Sequence, residues 1–195
     1  MELYLKYDAD NVTLYQAFPP AIADEAVRLG HFGPSFSLKR MTWLKTSFLW
    51  MMWRSGWATK EGQERILAMQ LPRTVFEQLL SQAVPSTFDP DRYEHAVEWQ
   101  HAMDGSDVLY QLDPDRDPNG EPLDRRTLHL GLRGEAARRY SHEWIVSLSD
   151  ITDTLPALHT RAESGEQFEQ SYTPLPDSPL VKKDDKPFPP PPGTW

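Results

Sequence analysis

The chain has 195 residues, no cysteine and a formal charge of −9, which excludes disulfides, thiolate metal sites and cysteine nucleophiles. A field of that sign repels nucleic acid, so nonspecific binding of duplex DNA is not expected. With 39% hydrophobic and 11% aromatic residues, the composition is that of one well-buried globular domain.

The amino-terminal segment MELYLKYDADNV lacks the apolar core of a signal peptide. The longest apolar run, Phe48 to Trp53, is far too short for a membrane span, so a cytoplasmic protein without membrane contact is expected. Leu3-Tyr4-Leu5 and Val12-Thr13-Leu14-Tyr15 are β-prone runs around the turn-forming Asp8-Ala9-Asp10-Asn11 and predict a hairpin. After Pro19-Pro20, the spacing of Ile22, Ala26 and Leu29 ahead of Gly30 predicts a short helix.

Charge is unevenly distributed. No Asp or Glu occurs from Ala26 to Lys60, a stretch holding Arg28, Lys39, Arg40, Lys45, Arg54 and Lys60 together with Trp43, Trp50, Trp53 and Trp57. A helix from about Thr42 or Thr46 to Ser55, stopped by Gly56, is predicted for the tryptophan segment, and its apolar circumference predicts burial. Arg65 to Leu71 reads as a strand ended by Pro72, and Thr74 to Ala83 as an amphipathic helix. Residues 84–105 carry no decisive pattern. Asp107 to Leu112 and Thr127 to Leu132 read as strands flanking an exposed loop, DPDRDPNGEPLD. Glu135 to Tyr140 predicts a short helix and Trp144 to Leu148 a last strand. The sum is an α+β domain over residues 1–163, with a small mixed or antiparallel sheet packed on a buried tryptophan-rich helix. From about Ser164 the chain, ending KKDDKPFPPPPGTW, predicts an extended, proline-rich tail over 164–195 that a proline-recognising protein partner could read.

Several of these segments resemble the domain of unknown function 4291 family. They are Val12 to Phe18, Arg40 to Lys45, Ser47 to Met52 and Arg54 to Ala58, then Gln111 with Asp113-Pro114-Asp115-Arg116, Arg126 with Leu130-Gly131-Leu132, and Glu143 to Val146 with Asp150-Ile151-Thr152. The resemblance runs over roughly residues 2–155. It implies no mechanism, because the family has no established activity. Members commonly carry proline where this chain has Thr46, and an arginine-bearing first strand where it has Leu3 to Tyr7.

Guanidinium and ammonium groups bind phosphates, and indole faces stack on bases or cations. Arg40, Lys45 and Arg54 among tryptophans therefore have the composition of a nucleotide pocket. Ser47 could add a hydroxyl, Tyr15 and Gln16 end a strand where they could face a cleft, and Arg126 could converge on it. The order Tyr15-Gln16, Arg40, Ser47 and late Glu143 is compatible with an ADP-ribosyl transferase using NAD, in which Glu143 would be the catalytic carboxylate. The contrasting expectation is a noncatalytic interaction module with structural tryptophans and a recruiting tail. Asp113, Asp115 and Asp117 lack the glycine and terminal glutamate of a calcium loop, and the six histidines lack zinc spacing, so no metal is expected. There is no Gly-x-Ser-x-Gly elbow and no phosphate-binding Gly-x-x-x-x-Gly-Lys loop.

Overall fold

The structure is a computed structural model and describes residues 3–175 together with Ser178 and Leu180. Its organising strand is β2 (Asn11–Phe18), which pairs antiparallel along its whole length with β4 (Arg65–Pro72), from Asn11↔Pro72 to Phe18↔Arg65. On its other edge β2 has two partners in succession. Its first half pairs with β1 (Leu3–Tyr7) and its second half, at Tyr15↔Lys45, with β3 (Thr42–Lys45). The sheet continues from β3 to β7 (Pro122–Leu132), then to β6 (Val108–Arg116), all antiparallel, and ends in the short parallel strand β5 (Val84–Pro85). β8 (Ser147–Asp150) borders β4, and β9 (Gln170–Tyr172) borders β1. Among the described residues the result is one domain with a curled mixed sheet and six α-helices.

Side chains alternate across a strand, so each strand serves two layers. Leu14, Leu44, Leu67, Met69, Leu128, Leu130 and Leu132 face one side with Phe32, Phe76, Leu80, Ala136 and Tyr140 in the larger core. Helices α1 (Pro20–Leu29), α3 (Arg73–Gln82) and α5 (Gly134–Arg139) contribute to that side. The intervening residues Tyr15 and Ile66 face the other side, where they pack with Phe48, Leu49, Met51 and Met52 of α2 (Phe48–Ser55) and Leu155 and Ala162 of α6 (Leu155–Glu163). The remaining helix, α4 (Ala96–Gly105), buries no residue. Among the described residues no helix is long and apolar enough to cross a membrane.

The largest departure from the sequence reading lies in the tryptophan segment. Its first half is not helix. Thr42 and Leu44 are buried while Trp43 and Lys45 alternate with them on the opposite face, which is a strand period that a β-branched residue and an indole favour. The helix begins only at Phe48, where Ser47 caps it by accepting from Trp50 N at 3.1 Å. The four tryptophans therefore do not share a helical face: Trp43 lies on β3, Trp50 and Trp53 on α2, and Trp57 beyond its end. Trp50 is 6% exposed and Trp53 38%.

The expected loop DPDRDPNGEPLD is also mostly strand. β6 runs on to Arg116 and β7 starts at Pro122, so the hairpin turns within Asp117 to Glu121, where Asp117 Oδ1 accepts from Asn119 N and Glu121 N. A register shift between Pro114 and Arg116 absorbs the proline in β6. Asp115, expected on an exposed connection, is 1% exposed. The predicted last strand moves to Ser147–Asp150, and Trp144 instead closes a π-helical turn, Tyr140–Trp144. Past Ser164, where no packed structure is expected, the chain adds β9 and buries Glu169 and Tyr172. The proline run itself lies outside the described residues.

Candidate functional site

One row of side chains crosses four strands. Tyr15 on β2 pairs with Lys45 on β3, Lys45 with His129 on β7, and His129 with Gln111 on β6. Directly paired residues project to the same face, here the one that α2 covers. Trp43, two residues before Lys45, shares that face. Its indole lies against Gly131, whose Cα could not carry a Cβ without meeting Met41 Sδ at 2.6 Å and Trp43 Cη2 at 2.9 Å.

Lys45 Nζ sits 4.7 Å above the Trp50 ring and 5.5 Å above the Trp43 ring. Indole faces attract an ammonium by on the order of 1 kcal/mol each, yet they also strip it of water. Burial pushes the Lys45 amine down to about 8, the Asp113 carboxylate opposing and the Arg54 guanidinium adding to the effect. His129 is 1% exposed, with its ring edge-on to Trp50 at 4.1 Å between centroids. Burial, then the nearby Lys45, hold its pKa well below the ordinary value, so it is neutral at pH 7. Its Nδ1 lies 3.4 Å from Asp113 Oδ2, and its buried Nε2 has no hydrogen-bond partner among the described residues.

Asp113 is the hub. Gln111 Nε2 donates to its Oδ1 at 3.1 Å. Burial raises its pKa, while Lys45, Gln111, Arg126 and Arg116 pull it back. Thus the charges of Lys45, Arg126 and Arg116 all bear on one carboxylate, and that of Arg54 bears on Lys45. Arg116 lies 3.8 Å over the Trp53 ring and donates from Nη1 to Gly120 O at 3.1 Å, yet its buried Nε has no partner among the described residues. The buried Nη1 of Arg126 is likewise unpartnered.

A second polar cluster sits at the amino end of α2. Ser47 Oγ donates to Asp115 Oδ1 at 2.6 Å, and Phe48 N donates to Glu169 Oε1 at 2.7 Å. Arg125 pairs with Asp115 at 2.8 Å and lies 3.9 Å from Glu169 and 4.7 Å over the Tyr4 ring. The helix end, which would otherwise attract an anion, is thus satisfied by the chain's own carboxylates. Burial raises Glu169 to about 7, the Phe48 N–H opposing and Asp115 adding to it.

The residues singled out from sequence therefore divide. Lys45 lies in the row and the charge of Arg54 bears on it, whereas Arg126, paired with Pro114, alternates to the other face and reaches Asp113 by its charge alone. Tyr15 is in their row but buried against Phe48, its hydroxyl raised by burial and by Glu169. Ser47 is buried as a helix cap. Gln16 turns to the opposite face, donating to Thr42 Oγ1 and accepting from Tyr140 Oη. Arg40 is exposed between α1 and β3. Glu143 lies on the π-helical turn, where Arg138 and Arg139 donate to it at 2.9 and 3.0 Å and hold its carboxyl below the usual range. His129, Gln111, Asp113 and Arg116 are the members that charge and composition do not single out. Gln111, Asp113 and Arg116 stand in the sequence only among the segments that carry the family resemblance, and His129 is not singled out there.

A groove of about 510 Å³ lies elsewhere, beyond the carboxyl end of α2, lined by Trp57, Ala58, Thr152, Leu155, Pro156 and His159. It offers one titratable side chain, His159, whereas the β3–β7–β6 cluster offers unmet donors and displaced pKa values. The cluster is therefore the candidate site.

Fold and site together define a mixed α/β domain with a cationic, indole-walled cluster on one sheet face. The chain belongs to the family described as Domain of unknown function (DUF4291), whose model matches residues 2–179. That match extends past β9, in keeping with the packing of the segment after Ser164. No curated protein matches the chain.

Proposed function

We propose that the protein binds a small anionic, nucleotide-like ligand at the β3–β7–β6 face, between Lys45 and Arg116. The observation that carries this reading is the buried guanidinium nitrogen Arg116 Nε, without a hydrogen-bond partner among the described residues, on the face where Lys45 lies between two indoles. Buried cationic donors without partners are costly, and an anion that accepts from them removes the cost. Trp43 and Trp53 provide flat apolar walls for a base or sugar. Glu143, engaged by Arg138 and Arg139, takes no part in this reading, and no group transfer is assigned to it.

A thermal-shift series with NAD, ATP, nucleoside monophosphates and inorganic pyrophosphate tests the reading, because a ligand that binds only the native state raises its melting temperature. A rise that is lost in Arg116→Gln and kept in Arg40→Gln is expected. No rise with any of these anions at millimolar concentration would overturn it.

A further inference from the structure

We propose that Lys45 is a nucleophile that forms an imine with the carbonyl carbon of an anionic aldehyde or ketone, such as the open form of a sugar phosphate. This rests on the anion-binding reading and names the chemistry of that site. Three features carry it. Lys45 is wedged between two indoles and makes no hydrogen bond or ion pair among the described residues, so its nitrogen is not committed to structure. A neighbouring guanidinium, Arg54, and loss of water both favour the neutral amine, which are the two devices that activate lysine nucleophiles. Next to it stand a carboxyl group and a buried imidazole nitrogen without a partner, Asp113 and His129 Nε2.

The step balances without an oxidant or reductant. The lone pair of neutral Nζ attacks the carbonyl carbon, a C–N bond forms, and the π pair of the C=O bond moves to oxygen, which takes up a proton. The oxygen then leaves as water while the nitrogen pair closes the C=N bond. Both protons of the amine end in the released water. Asp113, whose carboxyl is raised by burial, carries the proton from nitrogen to oxygen. Arg116 Nε holds the phosphate of the same molecule.

Ribose 5-phosphate with cyanoborohydride, followed by peptide mapping, reads the imine as a reduced adduct. Trapping at Lys45 at least about tenfold faster than at Lys39 or Lys60 at neutral pH is expected, because more of its amine is free base. Ribitol 5-phosphate, which has the phosphate but no carbonyl, should slow the trapping, and Lys45→Arg should abolish it while leaving the adducts at Lys39 and Lys60. Adducts spread evenly over the lysines of the parent protein would overturn the nucleophile, without need of any variant. If ribitol 5-phosphate nonetheless quenched tryptophan fluorescence, the nucleophile would fall and the anion site stand. If neither sugar phosphate quenched it or formed an adduct at Lys45, both would fall.

Discussion

At the scale of single residues, the feature that needs explaining is a lysine held where its charge is poorly compensated. Lys45 has two indoles and one shared carboxylate around it, and in such surroundings the ammonium costs stability that an apolar side chain of similar length would not. Lys45→Met keeps the stem between Trp43 and Trp50 and removes the charge. It should raise stability at pH 7 by ~1–3 kcal/mol in urea denaturation. The sign with pH follows from the direction of the shift. The folded chain releases this proton near 8 and the unfolded chain near 10.5, so the parent gains stability over that window and the advantage of Lys45→Met shrinks. A variant no more stable than the parent at pH 7 would mean that attraction to the indoles offsets the loss of water. Stability gained with sugar phosphate binding lost is the signature of a residue kept for function.

At the scale of elements, the site exists because three strands meet in one register. Sequence patterns are good at what is local: the alternation of Arg65–Pro72 and the amphipathic Arg73–Gln82 are legible within a residue or two. They fail at Thr42–Lys45, where an apolar run continuing into Phe48 hides a four-residue strand under a helical period. They fail again at Asp113 to Arg116, where prolines and acids have loop composition but a bulge lets the strand carry them. The site is legible to the same extent. Lys45 and Arg54 announce themselves by charge, whereas His129 joins Lys45 only through the β3–β7 register, which pairs residues far apart in the chain, and Asp113 follows through the β6–β7 hairpin. The β3–β7 register depends on Gly131, since any Cβ there meets Met41 and Trp43. Gly131→Ala should therefore lower stability by ~1–3 kcal/mol and shift tryptophan emission as the Trp43 indole is pushed from Lys45. Gly105→Ala, at the end of α4 with nothing within 4 Å of its new methyl group, is the matched control and should be neutral or slightly stabilising. Equal behaviour of the two variants would show that the β3–β7 contact yields without cost.

At the scale of the whole molecule, the segment after α6 closes the domain rather than leaving it. β9 covers the edge of β1, and Tyr172 packs edge-on against Tyr7 and Phe76 and donates to Glu77. Glu169 joins this closure to the site, because its carboxylate receives Phe48 N at the start of α2, the helix that brings Trp50 over Lys45 and His129. It does so while buried, and burial raises its pKa from 4.5 to about 7. A carboxyl that holds its proton more tightly when folded stabilises the fold below its unfolded value. That contribution is lost as pH rises from about 4.5 through about 7. Glu169→Gln retains an oxygen to accept from Phe48 N and has no charge to bury. The two proteins should therefore be close in stability at pH 5, with the variant ahead by up to ~3 kcal/mol at pH 8. Differential scanning calorimetry at the two pH values measures this. If the variant is instead less stable at pH 8, the attraction of Arg125 and the Phe48 N–H outweighs burial, and Glu169 acts as an ionised cap.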